Sequence, residues 1–234
     1  MKRLLLLSNS TNHRSGYLDH AIEAIRDWLR PARRLLFVPF ALQDHEAYTA
    51  KVRERFAAED IEVEGLVDRT DCRAAVETAE AIFVGGGNTF RLLYRLQTND
   101  VLDMIRDRVR QGMRYLGSSA GTNMACPTIR TTNDMPIVEP LDFDALGLVP
   151  FQINPHYLDP DPDSPHMGET REARILEFLG ENDTPVAGLR EGGWLRVEDD
   201  SARVEGPHPV RLFRRGCEPV EVAPGLDLVE AIAR

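Results

Sequence analysis

Short apolar runs alternate with amphipathic segments over the first half of the chain, and this alternation constrains the fold more than any other feature. Each apolar run has the length of a buried strand, and the segments between the runs repeat apolar residues at helical spacing. Strands that alternate with helices form a largely parallel sheet, and runs that are apolar on both faces require helices on both sides of it. The predicted strands are residues 4–8, 35–40, 61–67, 81–86 and 114–118, and the predicted helices are residues 17–30, 46–59, 72–80 and 101–112.

The second half of the chain predicts fewer regular elements. It contains an amphipathic helix at residues 169–179, a strand at residues 185–190 and, from Trp194 onward, a pattern of short antiparallel strands. We therefore predict an α/β fold: a doubly wound, mostly parallel sheet with helices on both faces and a short antiparallel C-terminal extension. No repeat or low-complexity linker divides the chain, so residues 1–234 are expected to form a single domain.

The composition argues against several classes of function. A formal net charge of -10 disfavours nucleic acid as a partner, because phosphate binding needs a cationic face. Three widely spaced cysteines, Cys72, Cys126 and Cys217, indicate neither a disulfide framework nor a zinc site. The first apolar run is too short for a signal peptide, and no segment reaches the length of a membrane span. We therefore expect a cytoplasmic protein that does not interact with membranes.

Three polar or glycine-rich segments directly follow predicted strands. They are SNST at residues 8–11, GGGNT at residues 85–89 and GSSAG at residues 117–121. Ligands of parallel α/β sheets bind beyond the carboxyl ends of the strands, so we expect the three segments to contribute to one site.

The GSSAG segment fits the pattern G-x-S-x-G and predicts a nucleophile at Ser119. The pattern describes a sharp strand-to-helix turn whose strained dihedrals and close backbone contacts glycine tolerates. Free N–H groups at the start of the helix then stabilise negative charge beside the serine. The alternative interpretation is a turn of small residues that only lets the strand and helix pack. The apolar run before Ser119 and the predicted helix after it favour the catalytic interpretation.

A serine nucleophile needs a general base, and His156 is the strongest candidate among the six histidines because it follows an apolar run. At the end of a strand it would face Ser119 across the rim of the sheet. The base in turn needs a carboxylate to orient it. Asp134 lies between the serine and the histidine in the sequence, and Glu191 follows a predicted strand and precedes two glycines. The sequence does not choose between these two carboxylates.

The glycine run at residues 85–87, followed by Asn88 at a predicted helix N-cap, brings backbone amides to the same edge. These amides could donate hydrogen bonds to a developing oxyanion. Phosphate binding is the rival interpretation, but the run lacks both G-x-G-x-x-G and a G-K-[ST] ending, the two usual phosphate-binding patterns. The acidic run at residues 159–164 lacks the glycine and glutamate of a calcium loop. We therefore expect neither a metal site nor a cofactor.

Six blocks of the sequence resemble the peptidase E family, the α-aspartyl dipeptidases. They occur in the family's order and are LLLLSNST, VGGGNTF, SAGTNMACPTIRTTNDMPIV, QINPH, GETREARI and LREGGW. Cyanophycinase and the class I glutamine amidotransferase domains are more distant relatives of this family in fold. One position departs from the family pattern: Ser118 precedes the nucleophile where the family has tryptophan.

The resemblance implies a metal-independent serine peptidase that hydrolyses dipeptides with an N-terminal aspartate (Asp-X) through an aspartyl-enzyme intermediate. It implies that Ser119 is the nucleophile and His156 the base, and both Asp134 and Glu191 match positions proposed for the third member of the triad. The oxyanion would be bound by the amide of Ala120. The second donor would be the amide of Gly86 or Gly87.

Recognition of aspartate requires a cation for its β-carboxylate, and Arg171 in the GETREARI block is the first candidate, with Arg130 as the alternative. Glu169 would bind the free amino group of the substrate, and Asn88 would donate or accept a further hydrogen bond. The expected partner is a small peptide with an N-terminal aspartate, and the expected assembly is a monomer or a homodimer. Two alternatives remain: a cyanophycinase-like hydrolase of aspartate polymers or isopeptides, and a non-catalytic module that binds a nucleotide or metabolite on the same sheet.

Overall fold

The computed structural model describes residues 1–67, 72–160 and 168–234 of the chain. The main sheet has seven strands in the order β3-β2-β4-β5-β1-β8-β9. All pairs from β3 to β1 are parallel, whereas β8 and β9 run antiparallel to their neighbours. The strands of this sheet are β1 (Arg3–Leu7), β2 (Arg34–Val38), β3 (Glu62–Gly65), β4 (Ala81–Val84), β5 (Arg114–Ser118), β8 (Trp194–Glu198) and β9 (Ser201–Glu205).

Helices cover both faces of this sheet, as the apolar runs require. Leu4 and Leu6 of β1 pack into the core on one face, and Leu5 and Leu7 pack into the core on the other. Burial of each leucine contributes about 1.5–3 kcal/mol to folding, so the alternation of side chains along one strand stabilises both layers. The helices are α1 (Ile22–Leu29), α2 (His45–Ala57), α3 (Cys72–Thr78), α4 (Thr89–Thr98), α5 (Leu102–Arg110), α6 (Ala120–Met124), α7 (Arg171–Glu181) and α8 (Leu228–Ile232).

A second sheet of four strands was not predicted. Its strands are β6 (Gln152–Tyr157), β7 (Val186–Arg190), β10 (Val210–Phe213) and β11 (Val220–Val222), in the order β11-β10-β7-β6. Strands β6 and β7 are parallel and are connected through α7, whereas β10 and β11 are antiparallel additions. The predicted C-terminal extension is therefore divided between two sheets. The period-two pattern of a strand fixes its buried face but not its partner, and this is why the sequence did not reveal the division.

In the part of the chain that the structure describes, no helix is both long enough and apolar enough to cross a membrane. The described residues also contain no cluster of histidine, cysteine and acidic side chains suited to a metal ion. Most of the acidic run at residues 159–164, which lacks the features of a calcium loop, lies outside the described residues.

Candidate active site

Ser119 lies on the turn between β5 and α6, with a φ of 53° and a ψ of -111°. This conformation is strained for a residue with a Cβ atom, and such strain is concentrated at functional sites. The two glycines of GSSAG are required by close contacts: a Cβ atom on Gly121 would lie 2.0 Å from the carbonyl oxygen of Val84, and one on Gly117 would lie 2.6 Å from that of Gly121. The turn therefore packs tightly under Ser119 and holds its hydroxyl at the carboxyl edge of the main sheet.

His156 approaches Ser119 from the second sheet. Its Nε2 atom lies 2.9 Å from Ser119 Oγ, and its Nδ1 atom lies 2.6 Å from Glu191 Oε1. His156 has a φ of 55° and sits where the register between β6 and β7 shifts. A bulge of this kind re-aims a side chain out of the strand's regular alternation. The predicted base therefore belongs to the second sheet, whereas Ser119 follows a strand of the main sheet. The hydrogen bond between His156 and Ser119 connects the two sheets.

Ser8, the residue after β1, fixes the backbone of this histidine. Its fully buried hydroxyl accepts a hydrogen bond from the N–H of His156 at 2.9 Å and donates one to the carbonyl oxygen of Leu189 at 2.8 Å. Asn9 holds the turn that carries Glu191, since its Oδ1 atom accepts the N–H of Gly192 at 2.9 Å. The sequence placed SNST at the site, but no motif assigned these positioning roles to Ser8 and Asn9.

The two candidate carboxylates occupy different places. Glu191 contacts the imidazole of His156, whereas Asp134 Oδ2 accepts hydrogen bonds from the backbone N–H and the hydroxyl of Thr89, at 2.7 and 2.6 Å. Asp134 therefore lies at the beginning of α4, where a negative charge is stabilised by the free amides and the helix dipole. The structure brings Glu191, and not Asp134, to the base.

Of the three predicted oxyanion donors, Gly86 packs directly against the serine: a Cβ atom on it would lie 3.1 Å from the Cβ atom of Ser119. The amides of Gly87 and Ala120 donate to no acceptor among residues 1–67, 72–160 and 168–234. Gly87 has a φ of 137°, and a Cβ atom there would lie 2.6 Å from the carbonyl oxygen of Ala41, so only glycine presents its amide in this way.

A cleft of about 520 Å³ opens beside the serine–histidine pair. Its floor is formed by Ser119, His156 and the glycines at residues 86–87. Its outer wall is formed by Tyr17, Asp44, Tyr48 and Lys51, of which the last three belong to α2 or its N-cap. A small molecule that enters this cleft meets Ser119, His156 and the glycines at residues 86–87 together.

Arg171 and Asn88, predicted to bind substrate, do not line this cleft. Arg171 is the first residue of α7; burial lowers its pKa, and the nearby Asp134 carboxylate opposes that effect. Its guanidinium forms no ion pair with a carboxylate among the described residues. Asn88 caps α4 by accepting the N–H of Arg91 at 3.0 Å and donates through Nδ2 to the carbonyl oxygen of Met135 at 2.9 Å. Its side chain is therefore already engaged within the protein.

Glu169 and Arg130 line a different hollow, of about 540 Å³, from which Ser119 is absent. Glu169 is exposed and forms an ion pair with Arg174 at 3.4 Å, and the guanidinium of Arg130 lies 4.8 Å from the ring centroid of Phe143. Neither side chain is brought to the nucleophile.

Ser118, which stands where the family pattern has tryptophan, is fully buried and does not line the cleft. Its Oγ atom has no hydrogen-bond partner among the described residues. The change therefore alters the packing beneath the turn and not the surface that faces the cleft.

Comparison with known proteins places the chain in a family. The sequence pattern of "Peptidase family S51" matches residues 4–205. The chain is 58% identical to "Peptidase E" of Streptomyces coelicolor over 98% of its length and 94% of the relative's. It is 49% identical to "Probable alpha-aspartyl dipeptidase" of Drosophila melanogaster, over 97% and 96% of the two chains. It is 47% identical to "Peptidase E" of Salmonella paratyphi A, over 95% and 98%.

Two solved structures have the same fold at low sequence identity. A peptidase from an acI-B1 Actinobacterium matches with a TM-score of 0.71 at 16% identity, over 97% of this chain and 96% of that one. A putative peptidase E protein from Listeria monocytogenes EGD-e matches with a TM-score of 0.60 at 22% identity, over 92% and 98%. These matches confirm the predicted α/β fold. The family pattern matches residues 4–205, and the relatives are 47–58% identical over almost the whole chain. This protein therefore belongs to peptidase family S51.

Proposed function

We propose that the protein is an α-aspartyl dipeptidase, which hydrolyses dipeptides with an N-terminal aspartate. The observation that carries the proposal is the continuous hydrogen-bonded chain from Ser119 Oγ through the imidazole of His156 to Glu191 Oε1, at 2.9 and 2.6 Å. Such an arrangement of nucleophile, base and orienting acid performs acyl transfer on unrelated folds. The name of the Drosophila relative, "Probable alpha-aspartyl dipeptidase", supports aspartyl dipeptides as the substrate class.

In the proposed acylation step, Ser119 Oγ attacks the peptide carbonyl carbon while His156 Nε2 accepts the hydroxyl proton. Glu191 keeps the proton of the imidazole on Nδ1 and stabilises the imidazolium that forms. The amides of Gly87 and Ala120 donate to the oxyanion of the tetrahedral intermediate, and loss of one such donor costs about 2.7–4 kcal/mol in the transition state. The imidazolium then protonates the leaving amine, and the peptide bond breaks to leave an aspartyl ester on Ser119.

Deacylation reverses the roles. A water molecule occupies the place of the departed amine, His156 Nε2 accepts its proton, and the resulting hydroxide attacks the ester carbon. Protonation of Ser119 Oγ by the same imidazole releases aspartate and restores the enzyme. The proposed cycle uses only side chains and backbone amides of this chain.

We assign recognition of the substrate's β-carboxylate to Arg171. Its guanidinium is part-buried, and within the described residues it has no carboxylate partner of its own, which leaves its fork free for a bidentate bond. Arg130 stacks on Phe143 and is the weaker candidate for the β-carboxylate. Glu169, the candidate for the substrate's amino group, already pairs with Arg174. We further propose that the chain is one catalytic domain that acts in the cytoplasm, as a monomer or homodimer, with Cys72, Cys126 and Cys217 reduced.

The function is tested with a panel of free and blocked peptides. The protein is expected to hydrolyse Asp-Leu about 10- to 150-fold faster, in kcat/KM, than Asn-Leu or Ala-Leu, because a charge-assisted hydrogen bond contributes about 1.5–3 kcal/mol. N-acetyl-Asp-Leu and β-linked aspartyl peptides are expected to be poor substrates. Hydrolysis of the β-linked peptides in preference to Asp-Leu would identify a cyanophycinase-like enzyme, and nucleotide-induced thermal stabilisation without hydrolysis would identify a binding module.

The role of Arg171 is tested by Arg171→Met, which keeps an unbranched side chain and removes the cation. We expect kcat/KM for Asp-Leu to fall about 10- to 100-fold while that for Ala-Leu stays the same. Arg174→Met on the same helix removes a cation that pairs with exposed Glu169, and it is expected to leave the Asp-Leu to Ala-Leu ratio unchanged. An unchanged ratio in Arg171→Met would remove Arg171 from this role, and a lowered ratio in Arg130→Met would transfer the role to Arg130.

A further inference from the structure

Lysine is rare in this protein, and one of its two lysines lies at the candidate active site. The chain has Lys2 and Lys51 and no other lysine. Lys51 is an exposed residue of α2 and lines the cleft beside Ser119. Its Nζ atom lies 4.4 Å from the centroid of the Tyr17 ring. This position holds the ammonium over an aromatic face at the outer wall of the cleft.

The ammonium of Lys51 has no counter-ion in the protein as described. No carboxylate of residues 1–67, 72–160 or 168–234 lies within ion-pair distance of it. Asp44, the acidic residue in the same wall, caps α2 by accepting the N–H of Ala47 at 2.9 Å, so its charge is engaged at the helix N-terminus. The cleft therefore presents a cation that is available to an anionic ligand, in a protein whose net charge of -10 repels anions elsewhere.

The rest of the wall is rigid and uncharged. The hydroxyl groups of Tyr17 and Tyr48 lie 3.4 Å apart, and both rings are buried. Burial raises the pKa of both hydroxyl groups, so they remain neutral. Tyr48 also packs against the glycine run, since a Cβ atom on Gly85 would lie 2.7 Å from its hydroxyl oxygen. Lys51 therefore packs on Tyr17, which contacts Tyr48, and both tyrosines line the same cleft as Gly86 and Gly87.

The two halves of a dipeptide must lie on opposite sides of the scissile bond. Arg171, which would bind the aspartyl half, does not line this cleft, whereas Lys51 does. The leaving amino acid therefore occupies the cleft. In a dipeptide that amino acid ends in a free carboxylate, one residue beyond the scissile bond, and a longer peptide has a neutral amide at the same place.

We propose that Lys51 binds the C-terminal carboxylate of the leaving amino acid and so makes the enzyme selective for dipeptides over longer peptides and amides. The proposal rests on the proposed function. It adds the residue whose charge would distinguish the terminal carboxylate of a dipeptide from the neutral amide of a longer peptide. Lys51 would bind the leaving amino acid, and Arg171 would bind the aspartyl half. Together the two cations would recognise both carboxylates of an Asp-X dipeptide.

The test compares Asp-Leu with Asp-leucinamide, which differ only in the terminal charge. The wild-type enzyme is expected to prefer Asp-Leu by about tenfold or more in kcat/KM, in keeping with one charge-assisted hydrogen bond at a partly solvated site. Lys51→Met is expected to reduce this preference to within about twofold, through a higher KM for Asp-Leu, while kcat/KM for the amide stays the same. Lys51→Arg is expected to retain most of the preference.

Arg33→Met is the matched control, because it removes the same charge from an exposed side chain that immediately precedes β2, at the opposite edge of the sheet from the cleft. It is expected to leave both substrates unaffected. An unchanged ratio in Lys51→Met, or an equal loss on both substrates, would overturn the role of Lys51 while leaving the dipeptidase function in place. If the wild-type protein hydrolysed neither Asp-Leu nor its amide, the proposed function itself would fail, and the role of Lys51 with it.

Discussion

Replacement of Ser119 by alanine is expected to lower kcat for Asp-Leu by about 10⁵- to 10⁶-fold, the loss that follows removal of a nucleophile from a serine–histidine–acid arrangement. The expected reason is local. The only atom removed is the Oγ that lies 2.9 Å from His156 Nε2, and without it the imidazole has no nucleophile to activate. The residual rate would come from binding and from the amides of Gly87 and Ala120, which remain in place.

The neighbouring serine supplies a matched control for this variant. Ser118 is fully buried, and its Oγ atom has no hydrogen-bond partner among the described residues, so Ser118→Ala is expected to retain turnover within a few fold. A covalent serine probe should label the wild-type protein and Ser118→Ala but not Ser119→Ala. Thermal unfolding of the three proteins should show that all are folded. Normal turnover in Ser119→Ala would end the proposed mechanism, and loss of turnover only in Ser118→Ala would transfer the nucleophile to the adjacent residue.

Much of this site could be predicted because its central residues are defined by local sequence. Gly117 is required by a contact within one strand–turn–helix segment, and Gly121 by the contact of that segment with Val84 of the adjacent strand β4. The parallel layer beneath them follows from the apolar alternation of runs such as Leu4–Leu7. The predicted nucleophile therefore depends mainly on the conformation of one short segment, which a pattern of five residues describes. The fold class was predictable for the same reason.

The orienting acid could not be chosen, because its position depends on contacts that are distant in the sequence. Glu191 is held by the turn at Gly192, whose N–H donates to Asn9, 183 residues earlier in the chain. His156 is placed by the register of a second sheet and by the hydroxyl of Ser8, 148 residues away. A pattern of residues specifies which side chains are chemically competent, whereas the pairing of strands decides which of them meet.

The largest effect away from the nucleophile is expected for Glu191→Gln, with a fall in kcat of about 10⁴-fold. Glu191 Oε1 lies 2.6 Å from His156 Nδ1, so the carboxylate keeps the proton on that nitrogen and leaves Nε2 free to accept the proton of Ser119. A glutamine amide in the same place can donate to Nδ1 instead. The imidazole would then carry its proton on Nε2 and lose its function as a base. Glutamine has nearly the same shape as glutamate, so the thermal midpoint should change little.

Asp134→Asn distinguishes this role from a general effect of lost charge near the site. The variant retains an oxygen that accepts the two hydrogen bonds of Thr89, and it leaves Glu191 against the histidine. Proton NMR of the wild-type protein should show a low-field resonance from the Nδ1 proton of His156. That resonance should persist in Asp134→Asn and disappear or move strongly upfield in Glu191→Gln. The opposite pattern would assign the orienting role to Asp134, and it would require the segment around residue 134 to move from the start of α4 to the imidazole during catalysis.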